Sequence, residues 1–552
     1  MIRARGIDRW WLSASLLVAC VVAVPVAGVL ASIGAETGGV WAHLASTRLP
    51  DYLANTLLLA AGVCVIAAVL GIPAAWLVTM YDFPGRRTLS WALLLPLAVP
   101  AYLAAYALTD LLQFSGPVQS FLRELTGWTA GDYWFPEIRS LPGAIVILGF
   151  SLYPYVFFGA RAAFGEQSQG LLDASRTLGC GPVRTAMRVG LPVARPALIG
   201  SLALVMMECV ADFGAVEHCA VDTLATGIYR TWLGLGSLDA AAQLSSVALT
   251  VVFVLLVAEL LTRRKARFNR STAKHIAPRC VRLSGTRGAL ATVFCIFPLT
   301  IGLLLPVGRF VYLSVLAGDA RAGELFLPLI RNTLLLGIIA AAICVVLAIC
   351  VTYASRLHRG RCGTVLREVC RSGYALPGPV IAIGLLGALG WVDHRLNDAQ
   401  SALLPGAQPL GLVLSGSIVA VLIGYQTRFL AIGVTTLQGA FDRAPAKMDD
   451  ASRTLGAGSL RTLLSVHLPM MKLSILTAGM LVFVDVIKEL PATLMLRPFN
   501  FDTLAVRVYQ LASDERLPEA STGALAIIVL GLLPVVLLHR VLDPEPSDRR
   551  AI

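Results

Sequence analysis

The chain has 552 residues, 57% hydrophobic and only 14% charged, with a mean hydropathy of +0.75 and a formal net charge of +12. A soluble chain carries about 25% charged residues, so this composition excludes an ordinary globular domain and points to an all-α integral membrane protein. The positive balance then reads as charge asymmetry between loops across a bilayer, not as a nucleic-acid surface.

Twelve apolar runs have the ~17–25 residues that a lipid bilayer requires. In chain order they cover about 11–33, 55–80, 89–111, 142–165, 195–217, 241–262, 289–315, 332–355, 372–392, 411–435, 473–493 and 522–540. The first shows no small-residue cleavage site and reads as a retained span. The ninth contains Pro377 and Pro379, which interrupt a straight helix. Eleven cysteines lie mostly within apolar runs, without a CxxC, and seven histidines show no close pairing. Lone cysteines in spans act as small hydrophobes, so neither disulfides nor a zinc site is expected, and no metal ligand set is assigned.

With the N-terminus placed in the cytoplasm, most of the 45 Lys and Arg fall in loops on that side. Residues 263–288 alone carry nine cations and no acid, and 356–371 carry five arginines against Glu368. The positive-inside rule therefore puts both termini of a multi-pass membrane protein in the cytoplasm. Residues 263–288 form a basic cytoplasmic linker.

The linker joins two copies of one unit. Asn55-Thr56-Leu57 returns as Asn332-Thr333-Leu334, Pro100 as Pro377, and Asp222-Thr223-Leu224-Ala225 as Asp502-Thr503-Leu504-Ala505. Each half holds six spans, so both enter the membrane the same way round. A pseudo-two-fold axis along the membrane normal follows, with room for a shared path between the halves. The first repeat is 1–262, with its core at about 51–262. The second is 289–552, with its core at about 328–540.

The most polar repeated stretch is DASRTLGCGPVRTAMRVGLP at 173–192, matched by DASRTLGAGSLRTLLSVHLP at 450–469 with 13 of 20 positions identical. Locally it predicts a short helix ended by Gly179 or Gly456 at positive φ. A second helix then starts at Gly181-Pro182 or Gly458-Ser459, and Leu191-Pro192 or Leu468-Pro469 stops it before the next span. An amphipathic loop lying on lipid would explain one such hairpin. Two with the same glycines, acid and closing proline, beside loops that diverged, point to two equal docking knobs for soluble partners.

The pattern Asp-Ala-Ser-(three)-Gly-(nine)-Val-x-Leu-Pro resembles the EAA loop of membrane subunits of binding-protein-dependent ABC importers, whose consensus is Glu-Ala-Ala-(three)-Gly-(nine)-Ile-x-Leu-Pro. The spacing agrees in both copies. This chain has Asp for Glu at 173 and 450, Ser for the second Ala at 175 and 452, and Val for Ile at 189 and 466. The resemblance covers nearly the whole chain and implies the type I importer fold, one permease unit per half. It implies that Asp173, Ala174, Gly179, Leu191 and Pro192, with Asp450, Ala451, Gly456, Leu468 and Pro469, couple to two copies of a cytoplasmic ABC ATPase. A periplasmic binding protein would deliver substrate. ATP would bind on the partner, since none of the five lysines follows a glycine and no P-loop can form. The stretches 212–245 and 485–519 are similar to iron(III) permeases, which implies ferric iron as substrate, with thiamine or phosphonate as the alternatives.

Glu208 and Asp212 stand i, i+4 in the fifth span, and Asp485 and Glu489 occupy the matching positions in the eleventh. Four acids facing a central path would suit a cation. Counting from Pro196 at 1.5 Å per residue puts Asp212 about 24 Å along, where an outer-interface position would make the acid cheap and Lys488 could neutralise Glu489. Arg161 and Arg428 read as snorkelling side chains near cytoplasmic ends. A competing reading is a six-plus-six secondary transporter driven by an ion gradient. No nucleophile–base set stands out, so a transport subunit is expected rather than an enzyme.

Overall fold

A computed structural model describes residues 2–265, 280–317, 322–358, 360–404 and 408–542. The central part of the basic linker therefore lies outside the described residues. Its end does not: Val281–Arg282 pairs in parallel with Tyr81–Asp82.

The membrane helices are numbered α1–α12, shorter elements being named by residue. The first half holds α1 Ile2–Ala31, α2 Leu49–Met80, α3 Ala101–Leu112, α4 Leu141–Gly165, α5 Leu191–Ala211 and α6 Leu238–Lys265. In the second half α7 runs Gly285–Leu299 and, through a π turn, Leu305–Ala317. There follow α8 Ala322–Leu357, α9 Gly378–Leu403, α10 Ile418–Arg443, α11 Lys472–Ile487 and α12 Leu517–Leu542. Among the described residues nine helices are long and apolar enough to cross a membrane, and three bent pairs raise this to twelve when each counts as one span. Two of the bends are repeat-related, 91° before α3 and 114° before α9. Pro100 and Pro377 stand at them with φ −54°, ψ 140° and φ −60°, ψ 142°. A residue without an N–H and with extended ψ cannot carry a helix through, so the interrupted ninth run has the same cause as a bend in the third.

Each half packs alike. α2 lies on α4 and α5, and α8 on α10 and α11. The first helix of each half crosses to the other half: α1 packs on α8, α9 and α10, and α7 on α3. The α1–α9 crossing is close, because a Cβ on Gly28 would lie 2.2 Å from the Gly384 carbonyl oxygen. Small residues allow this approach where lipid supplies no hydrophobic drive. Leu57, Leu58, Val65 and Val69 on α2, and Leu335, Ile338, Ile339 and Val346 on α8, form exposed apolar stripes that suit lipid contact.

The repeated sequence signatures touch each other. Asn55 donates to the Asp222 carbonyl at 2.9 Å, and Thr56 Oγ1 accepts from Leu224 N at 3.0 Å. Asn332 and Thr333 do the same to Asp502 O at 3.2 Å and Leu504 N at 2.9 Å. The side chains satisfy loop backbone groups that would otherwise be orphaned in an apolar surround.

Candidate functional site

The two hairpins stand at the same end of their halves, after α4 and α10. Helices Gln169–Thr177 and Lys447–Thr454 end in Gly179 and Gly456, both at φ 80°. Gly179 N donates to Arg176 O and Cys180 N to Ser175 O, each at 3.0 Å. Gly456 N and Ala457 N repeat this to Arg453 O at 3.0 Å and Ser452 O at 3.1 Å. Both turns are Schellman closures, which need a left-handed residue at that glycine. Gly181 and Gly458, at ordinary φ of −67° and −73°, then cap Pro182–Thr185 and Ser459–Thr462.

A buried cross-link holds each hairpin shut. Ser175 and Thr185 hydroxyls are 3.1 Å apart, and Ser452 and Thr462 hydroxyls 2.7 Å. Both pairs repeat at a ten-residue spacing in the quoted stretches, a signal the sequence reading passed over. Where the family consensus has a second Ala, this chain carries the serine of that pair.

The closing prolines do not stop the second helix as expected. In the first copy the chain stays helical from Pro182 to Ala211. A π turn at Ala186–Gly190 precedes Pro192, and Leu191 N reaches back five residues to Ala186 O. The wider turn accommodates a residue that has no donor. In the second copy the same π turn occupies Leu463–His467. The helix breaks only past Pro469, at Met471, with a 79° bend into α11.

Asp173, Ala174, Asp450 and Ala451 are exposed on the hairpins. Asp173 accepts from Gln169 at 2.7 Å and pairs with Arg176 at 3.4 Å. Beside them the tips show large apolar side chains to solvent: Leu178 is 84% exposed, Leu455 87% and Val183 76%. Bare leucines on a polar knob, flanked by an acid and by the exposed Arg184 and Arg461, make a surface suited to a protein groove.

The two hairpins are anchored differently. On the first, Leu172 is buried, Gln167 donates to the Gly190 carbonyl at 2.8 Å, and the Trp76 ring of α2 lies against Gly190, where an added Cβ would come within 2.4 Å of it. On the second, Arg356 Nε donates to Asp449 at 2.8 Å and its other nitrogens to the carbonyls of Phe441, Ala444 and Pro445. His467 Nε2 lies 2.6 Å from Asp449. Burial pushes the Asp449 carboxyl up, but hydrogen bonds from His467 and Arg356 outweigh it and hold it below the usual carboxylate range. Trp11 of α1 reaches Ser459 Oγ at 3.3 Å, and the Tyr353 hydroxyl donates to Ser459 O at 2.7 Å.

A cavity of about 120 Å³ lies between the halves and is lined by Glu208, Asp212, Asp485 and Glu489 together. The four predicted acids do converge, but not on continuous helix faces. α5 ends at Ala211 and α11 at Ile487. Asp212 turns to accept from Ala215 N and Val216 N at 3.1 Å, and Glu489 from Ala492 N and Thr493 N at 2.9 Å. Each satisfies first-turn donors of the short helix that restarts at Gly214 or Pro491.

The cavity is also lined by Ser151 and Arg428, each ten residues or ~15 Å from the start of α4 or α10. Two expectations for this region are corrected. Lys488 pairs with Asp485 at 2.6 Å, not with Glu489, because i, i+3 brings those two onto one side of the turn. Arg428 does not snorkel. It lies 3.7 Å from both Glu208 and Glu489, with its side chain 12% exposed. Arg161, by contrast, sits near the end of α4 and donates to the Ser90 carbonyl.

Comparison with known proteins matches both halves, residues 67–270 and 334–547, to the binding-protein-dependent transport system inner membrane component. The chain is 26% identical to the Fe(3+)-transport system permease protein FbpB 2 of Haemophilus influenzae, over 89% of this chain and 90% of that one. It is 28% identical to the sulfate transport system permease protein CysT of Salmonella typhimurium over 40% of this chain and 78% of that one. A probable molybdenum ABC transporter permease protein of Haloferax volcanii is 30% identical over 46% of this chain and 94% of its own.

Proposed function

The chain belongs to the family of binding-protein-dependent transport system inner membrane components, and we propose that it forms both transmembrane halves of an ATP-driven importer of ferric iron. The observation that carries the transport reading is the pair of Schellman-closed hairpins with bare leucines at their tips, each placed directly before α5 or α11. In this reading the hairpin end is cytoplasmic, with both termini on that side. Two copies of an ABC ATPase seat the hairpins. Closure of the ATPases pushes on Pro182–Thr185 and Ser459–Thr462, and the movement passes through the π turns into α5 and α11. Those helices end at the central cavity, so a push at the hairpins is felt where substrate crosses. A periplasmic binding protein presents substrate at the opposite end.

Iron is supported by a relative that matches almost end to end, the Fe(3+) permease, and by the excess of carboxylates in the cavity. The sulfate and molybdenum relatives each match less than half of this chain, and they define the competing substrate class, an oxyanion. Reconstitution with the cognate ATPase and binding protein separates the two. ATP-dependent uptake of radiolabelled ferric iron, undiminished by excess sulfate or molybdate, is expected. Uptake of an oxyanion with none of iron would overturn the substrate reading, and uptake without ATP would overturn the importer reading.

A further inference from the structure

The carboxylates around the central cavity obey the internal repeat, but the cations do not. Glu208 matches Asp485, and Asp212 matches Glu489, at the same 277-residue spacing. At that spacing Arg428 corresponds to Ser151 and Lys488 to Ala211, and all four of these also line the cavity. Four acids contributed evenly by the two halves thus face two cations contributed by the second half alone.

The two cations are held differently. Lys488 is locked to Asp485 at 2.6 Å. Arg428 is 3.7 Å from Glu208 of one half and 3.7 Å from Glu489 of the other, longer than a hydrogen bond on both sides. Its Nε is buried and makes no hydrogen bond. Tyr102, 5% exposed and lining the same cavity, also has a buried hydroxyl with no partner. Buried polar groups left unpaired are costly, so a site with two of them is incomplete as it stands. The Glu489 carboxylate, in contrast, is fixed by the backbone donors of the Pro491–Leu496 helix.

We propose that Arg428 is a built-in counter-ion: it occupies the position of a cationic substrate between Glu208 and Glu489 while the path is empty, and the arriving cation displaces it. The guanidinium offsets the repulsion between carboxylates of opposite halves, which lets the halves close on each other without substrate. Its loose geometry makes it replaceable by an ion of higher charge density. A monovalent cation does not outcompete a tethered guanidinium of equal charge, whereas a multivalent one does. Arg428 would therefore select for multivalent cations.

The inference rests on the cation reading of the substrate, and its test is separate from uptake. Terbium(III) is titrated into the detergent-solubilised full-length chain, with tyrosine-sensitised emission as readout; Tyr102, Tyr155 and Tyr374 line the cavity. Arg428→Gln should bind terbium at least about tenfold more tightly than wild type, because one of two nearby positive charges is gone. Arg428→Lys should behave as wild type, and Arg428→Gln/Glu208→Gln/Glu489→Gln should lose the gain. Equal affinity in wild type and Arg428→Gln would overturn the proposal, as would a gain that survives loss of both glutamates. If Arg428→Gln is not recovered folded, Glu208→Gln and Glu208→Gln/Arg428→Gln carry the same comparison, and equal affinities there overturn it too. Iron uptake with unchanged terbium affinity sinks only the counter-ion; oxyanion uptake sinks the substrate reading whatever terbium does.

Discussion

Replacing Gly179 and Gly456 by alanine isolates the hairpin turns from everything else in the molecule. Both glycines sit at φ 80°, and a Cβ added to either meets nothing within 4 Å. The substitution therefore costs backbone strain alone. For an L-residue the left-handed region is unfavourable by about 1–2 kcal/mol, which shifts each turn roughly 5–30-fold away from its Schellman closure. The double variant should lose most of its ATPase binding and transport, while insertion and abundance stay close to wild type. Gly181→Ala with Gly458→Ala is the internal control, since those residues have φ of −67° and −73° and equally open surroundings. ATP-dependent uptake in proteoliposomes, normalised to inserted protein, is the assay. Equal uptake by the two double variants would refute the reasoning, because only the first pair puts an L-residue at positive φ while all four sites have room for a Cβ.

Other expectations follow from the same geometry. Thr462→Val should lower stability by about 1–3 kcal/mol by stranding the buried Ser452 hydroxyl that it pairs with, whereas Ser452→Ala/Thr462→Val should recover much of it; a double variant no better than the single one would argue against the cross-link. Asp449 is held below the usual carboxylate range, so its contribution is complete above the unfolded value of ~3.9 and is lost as pH falls through the lower folded value. A melting series from pH 7 to 3 should fall more steeply for wild type than for Asp449→Asn, and parallel curves would contradict the assignment. Gly384→Val should unseat α1 from the second half, since even a Cβ there would lie 2.0 Å from the Pro25 carbonyl oxygen; unchanged detergent stability would show that the crossing yields at little cost.

Span number, the duplication and the hairpin turns were legible because each rests on local chemistry that repeats. Apolar length marks a span, a glycine marks a left-handed turn, and Asn-Thr recurs in both halves where the loops at Asp222 and Asp502 need a partner. What stayed hidden depends on contacts between distant segments. Arg428 looked like a snorkelling residue because its helix end was misjudged: the tenth apolar run was read as 411–435, whereas the helix is Ile418–Arg443, which leaves Arg428 well inside the helix. Its partner Glu208 lies 220 residues away in the other half, and no periodicity links them. The prolines misled for a different reason. A π turn is not written in hydrophobic spacing, so Pro192 reads as a stop although the widened turn lets the helix pass. The differing anchors of the hairpins were visible only as mismatches between the copies, Leu172 against Asp449 and Gly190 against His467.

If the hairpins act as proposed, one chain presents two equivalent docking sites to ATPase subunits. The mass of the complex purified in mild detergent with the cognate ATPase measures this directly. Two ATPase chains per permease chain are predicted for wild type, and one when either Gly179 or Gly456 alone is replaced by valine. A wild-type complex with one ATPase or none, or a single-valine variant that still holds two, would contradict it.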